Sequence, residues 1–255
     1  MKNKIEMPQY ISLHKSTKKM QPLPPETKWP KEWRTVVYKT YPRLRKIQLP
    51  EPIDVRRDLL EVIRKRESRR NFASHITLEE LSTLLKYSCG IVRETKHKKS
   101  RAYASAGARY PLETYILTAV GNNELDSGIY HYNVKEHSIS LINKTIFSGD
   151  MLDELFLVKN ASKASVFVIT TAVFQRTINK YGNRGYRFIL LEAGEINQNL
   201  SLIAEAISLS CCSVGALGDS DAKLDEMLDI DGTTESFIHA ASIGRSVDKS
   251  LDLSS

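Results

Sequence analysis

Ser105-Ala106-Gly107-Ala108-Arg109-Tyr110-Pro111-Leu112-Glu113 runs a string of small side chains into the start of a β-favouring segment. Small residues let a backbone come close to a ligand, and Gly107 has access to φ values that other residues avoid. A plain loop entering a strand has the same composition, so the stretch alone leaves both readings open. The pattern downstream of it predicts a strand over residues 113–120, and two more over 129–134 and 139–142. Gly121-Asn122-Asn123 and Lys135-Glu136-His137-Ser138 are turn-rich joints, so the three strands describe an antiparallel meander. Upstream, Val55, Leu59, Val62 and Ile63 recur at helical spacing and predict a helix over 55–66. Ile76-Thr77-Leu78-Glu79-Glu80-Leu81 reads as a capping box with a hydrophobic staple, and Gly90 as that helix's terminator. Further along, a continuous apolar run predicts a buried strand over 165–172. Ile189, Ala193, Ile196, Leu200, Ala204 and Ile207 mark one face of a long central helix. Residues 211–217, 224–228 and 237–243 predict a strand, a short helix and a last strand. Strands set among helices without a βαβ rhythm give an α+β class.

The 255 residues suffice for one large domain or at most two, and 41% apolar with 26% charged residues is ordinary for a soluble globular chain. The longest apolar run, 164–174, is strand-sized and far short of the ~18 residues of a membrane span. Lys2 and Lys4 are followed by no apolar segment, so no signal peptide is read. Three cysteines (Cys89, Cys211, Cys212) make no disulfide framework; a reducing cytoplasm is the expected location. Charge is unevenly placed. Residues 1–50 hold twelve Lys/Arg against three Asp/Glu and seven of the nine prolines, while the rest is slightly acidic. We therefore divide the chain into a basic, Pro- and aromatic-rich arm (1–53) and a body (54–255). Trp29, Trp33, Tyr38 and Tyr41 are expected to pack on the body or on a partner. A basic pI confined to one fifth of the chain is not the footprint of a broad nucleic-acid-binding face.

GxGxxG, Walker, HExxH, GxSxG and CxxC motifs are absent. His131 and His137 flank a turn and read as surface or hairpin-packing residues rather than metal ligands. Cys211-Cys212 reads as small core residues, with nothing nearby to lower a thiol pKa. Besides the small-residue stretch, two segments carry chemistry. In Arg66-Glu67-Ser68-Arg69-Arg70, an extended chain would point Arg66, Ser68 and Arg70 the same way, a set suited to a phosphate; a solvated charge run is the plainer alternative. In the segment from Arg176 to Arg187, Lys180 has a cation four positions away on each side. If the segment is helical, like charge lowers the lysine pKa toward that of a general base, with Tyr181 beside it as a second proton carrier; an exposed basic loop is the alternative.

Together these segments resemble the nitroreductase family, and specifically its SagB-type dehydrogenase branch. The resemblance covers about residues 55–246 and leaves the arm outside. It rests on the Arg66 segment, on Ser105 to Glu113, on Gly128-Ile129-Tyr130-His131-Tyr132 and on Glu192-Ala193-Gly194-Glu195-Ile196-Asn197-Gln198-Asn199-Leu200. Lys180-Tyr181 with Arg184-Gly185-Tyr186-Arg187 is similar to the Lys-Tyr motif of the azoline-oxidising members. Ala104 departs from the branch, which usually has proline before the serine. The resemblance implies a central, mostly antiparallel sheet flanked by helices, in a homodimer with FMN at the subunit interface. Arg66, Ser68 and Arg70 would hold the phosphate and ribityl chain. Ser105, Ala106 and Gly107 would approach the flavin, from the second subunit. Val214-Gly215-Ala216-Leu217 would lie near the ring, with Arg245 as a further phosphate ligand.

The activity implied is oxidation of thiazoline or oxazoline rings in a precursor peptide, with Lys180 and Tyr181 performing the deprotonation and O2 recycling the flavin. The cluster of Arg176, Arg184 and Arg187 would favour neutral Lys180 and anionic Tyr181. The arm would help to capture peptide or dock a cyclodehydratase complex. The alternatives are an NAD(P)H-dependent nitroreductase acting on small electrophiles, a flavin-free scaffold subunit, and a nucleic-acid binder. The last would use the basic arm and the GxxG at Gly182-Asn183-Arg184-Gly185.

Overall fold

A computed structural model describes residues 9–18, 20, 22–96, 98–119, 121, 124–156, 163–215 and 220–246. In chain order its elements are α1 (Gln9–Ser16), α2 (Lys31–Arg34), β1 (Lys46–Gln48), α3 (Leu59–Lys65), β2 (Phe72–Ser74), α4 (Leu78–Ser88), β3 (Ile91–Thr95) and β4 (Lys98–Arg101). Next come β5 (Leu112–Thr118), β6 (Gly128–Asn133), β7 (Ser138–Asn143), α5 (Gly149–Phe156), β8 (Val166–Val173) and α6 (Gln175–Tyr181). Then follow α7 (Gly185–Ala206), β9 (Ser210–Val214), α8 (Ser220–Met227) and β10 (Glu235–Ser246). The expected meander is β5–β6–β7, inside an eight-stranded sheet of order β1-β7-β6-β5-β8-β10-β2, with β9 also paired to β10. Every ladder in it is antiparallel. β3 and β4 form a separate hairpin. Fold class and sheet type are as expected from the sequence.

Side-chain alternation puts helices on both faces. Ile116 and Val168 join the cluster with Leu81, Leu84 and Leu85 of α4 and Ile189, Ile196 and Leu200 of α7. Their neighbours Tyr115, Leu117, Phe167 and Ile169 join Leu152, Leu155 and Phe156 of α5 and Leu224 of α8 on the other face. A strand covered on both sides has no polar face to show, which is why 165–172 reads as an unbroken apolar run. The capping box forms: the Thr77 hydroxyl accepts from Glu80 N, and the Glu80 carboxylate accepts from Thr77 N. α3 begins later than residue 55, because Asp58 caps it by accepting from Glu61 N. Only Val62 of α3 is buried, and Leu59 (63% exposed), Leu60 and Ile63 face outward.

Part of the N-terminal arm is woven into the body. β1 extends the sheet at its edge, Leu49 is buried, and Tyr41 sets its ring edge against His131 at 5.1 Å. Lys39 Nζ reaches both Tyr115 Oη and Glu235 Oε2 at 2.7 Å. His131 and His137 pack within the hairpin region. His131 Nε2 lies 3.0 Å from Glu113 Oε2, and His137 sits between the hydroxyls of Tyr132 and Ser82. No helix among the described residues is long and apolar enough to cross a membrane.

Candidate active site

The fold brings two of the three sequence segments into contact. α6 ends in Lys180-Tyr181 because Gly182, at φ 56° and ψ −152°, turns the chain out of the helix. Facing it, Ser105 to Ala108 make a tight turn with Gly107 at φ 62°. A Cβ at Gly107 would lie 2.5 Å from Tyr181 Oη and 2.8 Å from Lys180 Nζ, so a side chain there would push both groups away, and the left-handed φ favours glycine in any case. Ser105 Oγ braces the turn by accepting from Tyr110 N at 2.8 Å. Lys180 is buried, at 6% exposure, and among the described residues Nζ has no hydrogen-bond partner. Its neighbours are rings: Trp29 of the arm, whose centroid is 3.6 Å from Nζ, and Tyr181 at 5.4 Å.

The electrostatics of this pair differ from the expectation in two respects. Burial, seconded by Arg109, pulls the Lys180 pKa below its ordinary value, while Glu26 opposes. The cations expected to do this are engaged elsewhere. Arg176 pairs with buried Glu113, Arg184 donates to Lys18 O, and Arg187 donates to Thr17 Oγ1 and His14 O. The break at Gly182 takes Arg184 off the helical face it would have shared with Lys180. Nor is Tyr181 favoured as an anion: burial raises its pKa, and Arg109 only partly offsets this. The pair is a lysine biased toward the neutral amine beside a tyrosine that keeps its proton.

Two further residues belong here that the sequence pattern contains but assigns no role. Glu192 on α7 accepts from Ala106 N at 3.0 Å, and burial raises its carboxyl to about 7. Its signal was a carboxylate on the core-facing stripe between Ile189 and Ile196, where charge is rarely tolerated. Arg109, 4% exposed, donates to the carbonyls of Trp33, Glu32 and Thr35 from the arm and to Arg176 O. Nothing in one dimension distinguishes it from other loop arginines.

The phosphate-suited set lies at the other end of α7. Residues 66–70 form no regular strand: Arg66 caps α3, and Ser68 makes a single parallel bridge to Cys211 of β9. Arg69 is neutralised by Glu205 and Glu67. The side chains of Arg66, Ser68 and Arg70 carry no hydrogen bond or ion pair among the described residues, which leaves two guanidinium groups available for an anion. Burial lifts the Cys211 thiol to about 12 and raises Cys212 as well, so neither is a nucleophile. Arg245 is committed to Glu80 Oε1 at 2.5 Å. Gly215, just past β9, is exposed, with open space where a Cβ would stand. Beside it Ser213 Oγ accepts from Asn197 Nδ2 and lies 3.0 Å from His239 Nε2. Ala216 lies outside the described residues. From Glu192, which holds the Ser105–Ala108 turn, to Glu205, which holds Arg69, α7 rises about 20 Å at roughly 1.5 Å per residue.

The chain is similar to several known proteins. MJ1384 of Methanocaldococcus jannaschii, which carries a nitroreductase name, is 34% identical over 184 residues, covering 69% of this chain and 87% of that one. The trifolitoxin-processing protein TfxB of Rhizobium leguminosarum bv. trifolii is 26% identical over 68% of this chain and 48% of its own. The microcin B17-processing protein McbC of Escherichia coli is 28% identical over 43% of this chain and 42% of its own. The match thus spans less than half of these last two relatives. Among solved structures, a protein described as a nitroreductase from Anabaena variabilis superposes with a TM-score of 0.70 at 26% identity, over 82% of this chain and 44% of that one. The E. coli microcin synthetase McbBCD complex with truncated pro-MccB17 bound shares the fold at a TM-score of 0.60 and 19% identity, over 92% and 80%. So does a nitroreductase-described structure in complex with FMN from Desulfovibrio desulfuricans, at 0.51 and 16%, over 76% and 89%. The nitroreductase family model matches residues 63–245, and the chain belongs to the nitroreductase family, an FMN-dependent group of oxidoreductases.

Proposed function

We propose that this flavoenzyme oxidises thiazoline or oxazoline rings in a ribosomally made precursor peptide to thiazoles or oxazoles, with O2 as the terminal oxidant. The observation that carries the reading is the Lys180–Tyr181 pair, its lysine buried, held against Gly107. The names of TfxB and McbC, both processing proteins of peptide products, support a peptide substrate. Aromatising the ring removes two hydrogens, one as a proton and one with its electron pair; O2 is reduced to H2O2. FMN, when bound, supplies the acceptor for the electron pair. Lys180 Nζ, biased toward the neutral amine by burial and by Arg109, takes the proton. Tyr181, protonated, donates a hydrogen bond toward the ring.

The residues fit the cofactor. Arg66, Ser68 and Arg70 would hold the phosphate. Gly215 leaves open space for a ring, with Ala216 following it, and Ser105, Ala106 and Gly107 would meet the flavin's other side. Arg245 would join the phosphate set only by loosening its hold on Glu80. The length of α7 keeps the phosphate set and the Lys180 pair of one chain well apart. A flavin that met both would be shared by two copies, in a homodimer assembled over the exposed Leu59, Leu60, Ile63, Leu190 and Leu191. The enzyme would act in the cytoplasm, where its three buried free cysteines remain thiols, and alongside a cyclodehydratase complex that makes the azolines.

The test pairs a visible spectrum with mass spectrometry of an azoline peptide. Flavin absorbance together with loss of two hydrogens per ring is expected. Lys180→Ala/Tyr181→Ala should keep its flavin and lose about 10²–10⁴ in rate. Wild-type turnover by that variant would sink the roles of Lys180 and Tyr181. NAD(P)H-driven reduction of nitro compounds with azolines untouched would move the protein to a small-electrophile reductase, the activity MJ1384's name suggests.

A further inference from the structure

Lys180 Nζ is enclosed from two sides. On one, the Gly107 turn leaves no room for a methyl group; on the other, the Trp29 indole centroid stands 3.6 Å away. Proton transfer from a ring to this amine needs heavy atoms within about 2.6–3.2 Å. A substrate ring and Trp29 therefore cannot share that face of Lys180.

The indole is delivered by a short stretch of the arm. Trp29 Nε1 donates back to Pro24 O at 2.7 Å, and the Trp33 ring packs at 6.2 Å from that of Trp29. Arg109, at the foot of the small-residue turn, grips the carbonyls of Glu32, Trp33 and Thr35. Arg184 holds Lys18 O, and Arg187 holds His14 O and Thr17 Oγ1. Apart from Thr17 Oγ1 and His14 Nδ1, 3.2 Å from Arg187 Nη2, these arginines address main-chain carbonyls in and just after α1 and α2, groups that an extended peptide offers as well. The surface beneath the arm thus combines a ring site over the lysine with a cationic clamp for peptide backbone.

Resting on the azoline reading of the same site, we infer that residues 24–35 are an internal stand-in for the substrate. The surface from Lys180 to Arg109 that the arm covers is the docking surface for the ring-bearing segment of the precursor, the azoline in the place of Trp29 and backbone carbonyls on Arg109. In the resting enzyme the arm covers the Lys180–Tyr181 pair, and it gives way when peptide binds. A cover that must open weakens apparent substrate affinity by the fraction of molecules that are open.

The experiment uses full-length, flavin-loaded protein. An amine-acylating reagent is added and modification of Lys180 is followed by mass spectrometry, with exposed Lys144 as the internal reference. Trp29→Ala is expected to react at Lys180 about tenfold faster than wild type, and its KM for an azoline peptide to fall by about the same factor. Trp29→Phe, which keeps a ring over the amine, should label slowly, as the wild type does. Equal labelling of wild type and Trp29→Ala would overturn the cover. A raised KM in Trp29→Ala would overturn the stand-in, because Trp29 would then be a wall that holds the substrate. Labelling needs no turnover, so the expected labelling with inert azolines would refute the substrate reading and not the cover.

Discussion

Gly107 and Glu192 are the two positions where a single atom matters most. At φ 62° and with Tyr181 Oη only 2.5 Å from where its Cβ would stand, Gly107 is where backbone meets the Lys180–Tyr181 pair. Gly107→Ala is expected to displace Lys180 and Tyr181 by about an ångström and to lower kcat about 10–100-fold with the flavin spectrum retained; steady-state kinetics would check this. Glu192 has the opposite character, a carboxyl that burial holds at about 7 against an ordinary 4.5. The folded state binds this proton more tightly than the unfolded chain does. The resulting contribution is full below about pH 4.5 and fades as pH rises to about 7. Glu192→Gln keeps an acceptor for Ala106 N and carries no charge. It should raise stability at pH 8 by about 1–3 kcal/mol and leave it nearly unchanged at pH 4, as read from denaturant melts at the two pH values.

At the scale of elements, α4 and α7 set the frame. α4 starts on a reciprocal cap between Thr77 and Glu80, and Glu80 also takes the Arg245 guanidinium from β10. Thr77→Ala should cost about 1 kcal/mol by urea unfolding. Glu80→Ala should cost more, because it frees a half-buried arginine as well as a cap; equal losses would mean the ion pair contributes nothing. α7 acts as a spacer, with the Ser105–Ala108 turn bound at Glu192 and the Arg69 segment bound at Glu205. α3 packs little of itself inward, and its outward leucines are the kind of surface that a second copy covers.

For the whole molecule, the prediction concerns assembly. If each flavin is shared between copies, dissociation and flavin loss must coincide. Leu59→Glu with Leu191→Glu should halve the mass seen by light scattering and release FMN on gel filtration. A monomeric variant with full flavin content would refute the shared site. The buried ion network at the core of the sheet should survive in either case. Burial alone would push the Glu113 carboxyl up, yet the His131 hydrogen bond and the Arg176 and Arg101 charges hold it at about 2, all within one chain.

Much of this was legible in one dimension because it depends on local rules. Strand-favouring segments and turn-rich joints over 113–142 gave the meander, the apolar run over 165–172 gave the doubly covered strand, and Thr77 with Glu80 gave a helix start. The set Arg66, Ser68 and Arg70 and the pair Lys180–Tyr181 stood out by residue type and spacing. Their surroundings were decided by tertiary structure. The break at Gly182 removed Arg184 from the lysine's face, and Glu113 claimed Arg176. Arg109, more than sixty residues away in sequence, became the nearby cation instead. The arm, set apart by charge and proline, closed over the site through Trp29, a contact no periodicity announces. Periodicity and capping follow from neighbours a few residues apart, so the sequence by itself determines them. Burial and electrostatic pairing depend on which distant segments meet, and only the folded chain settles that.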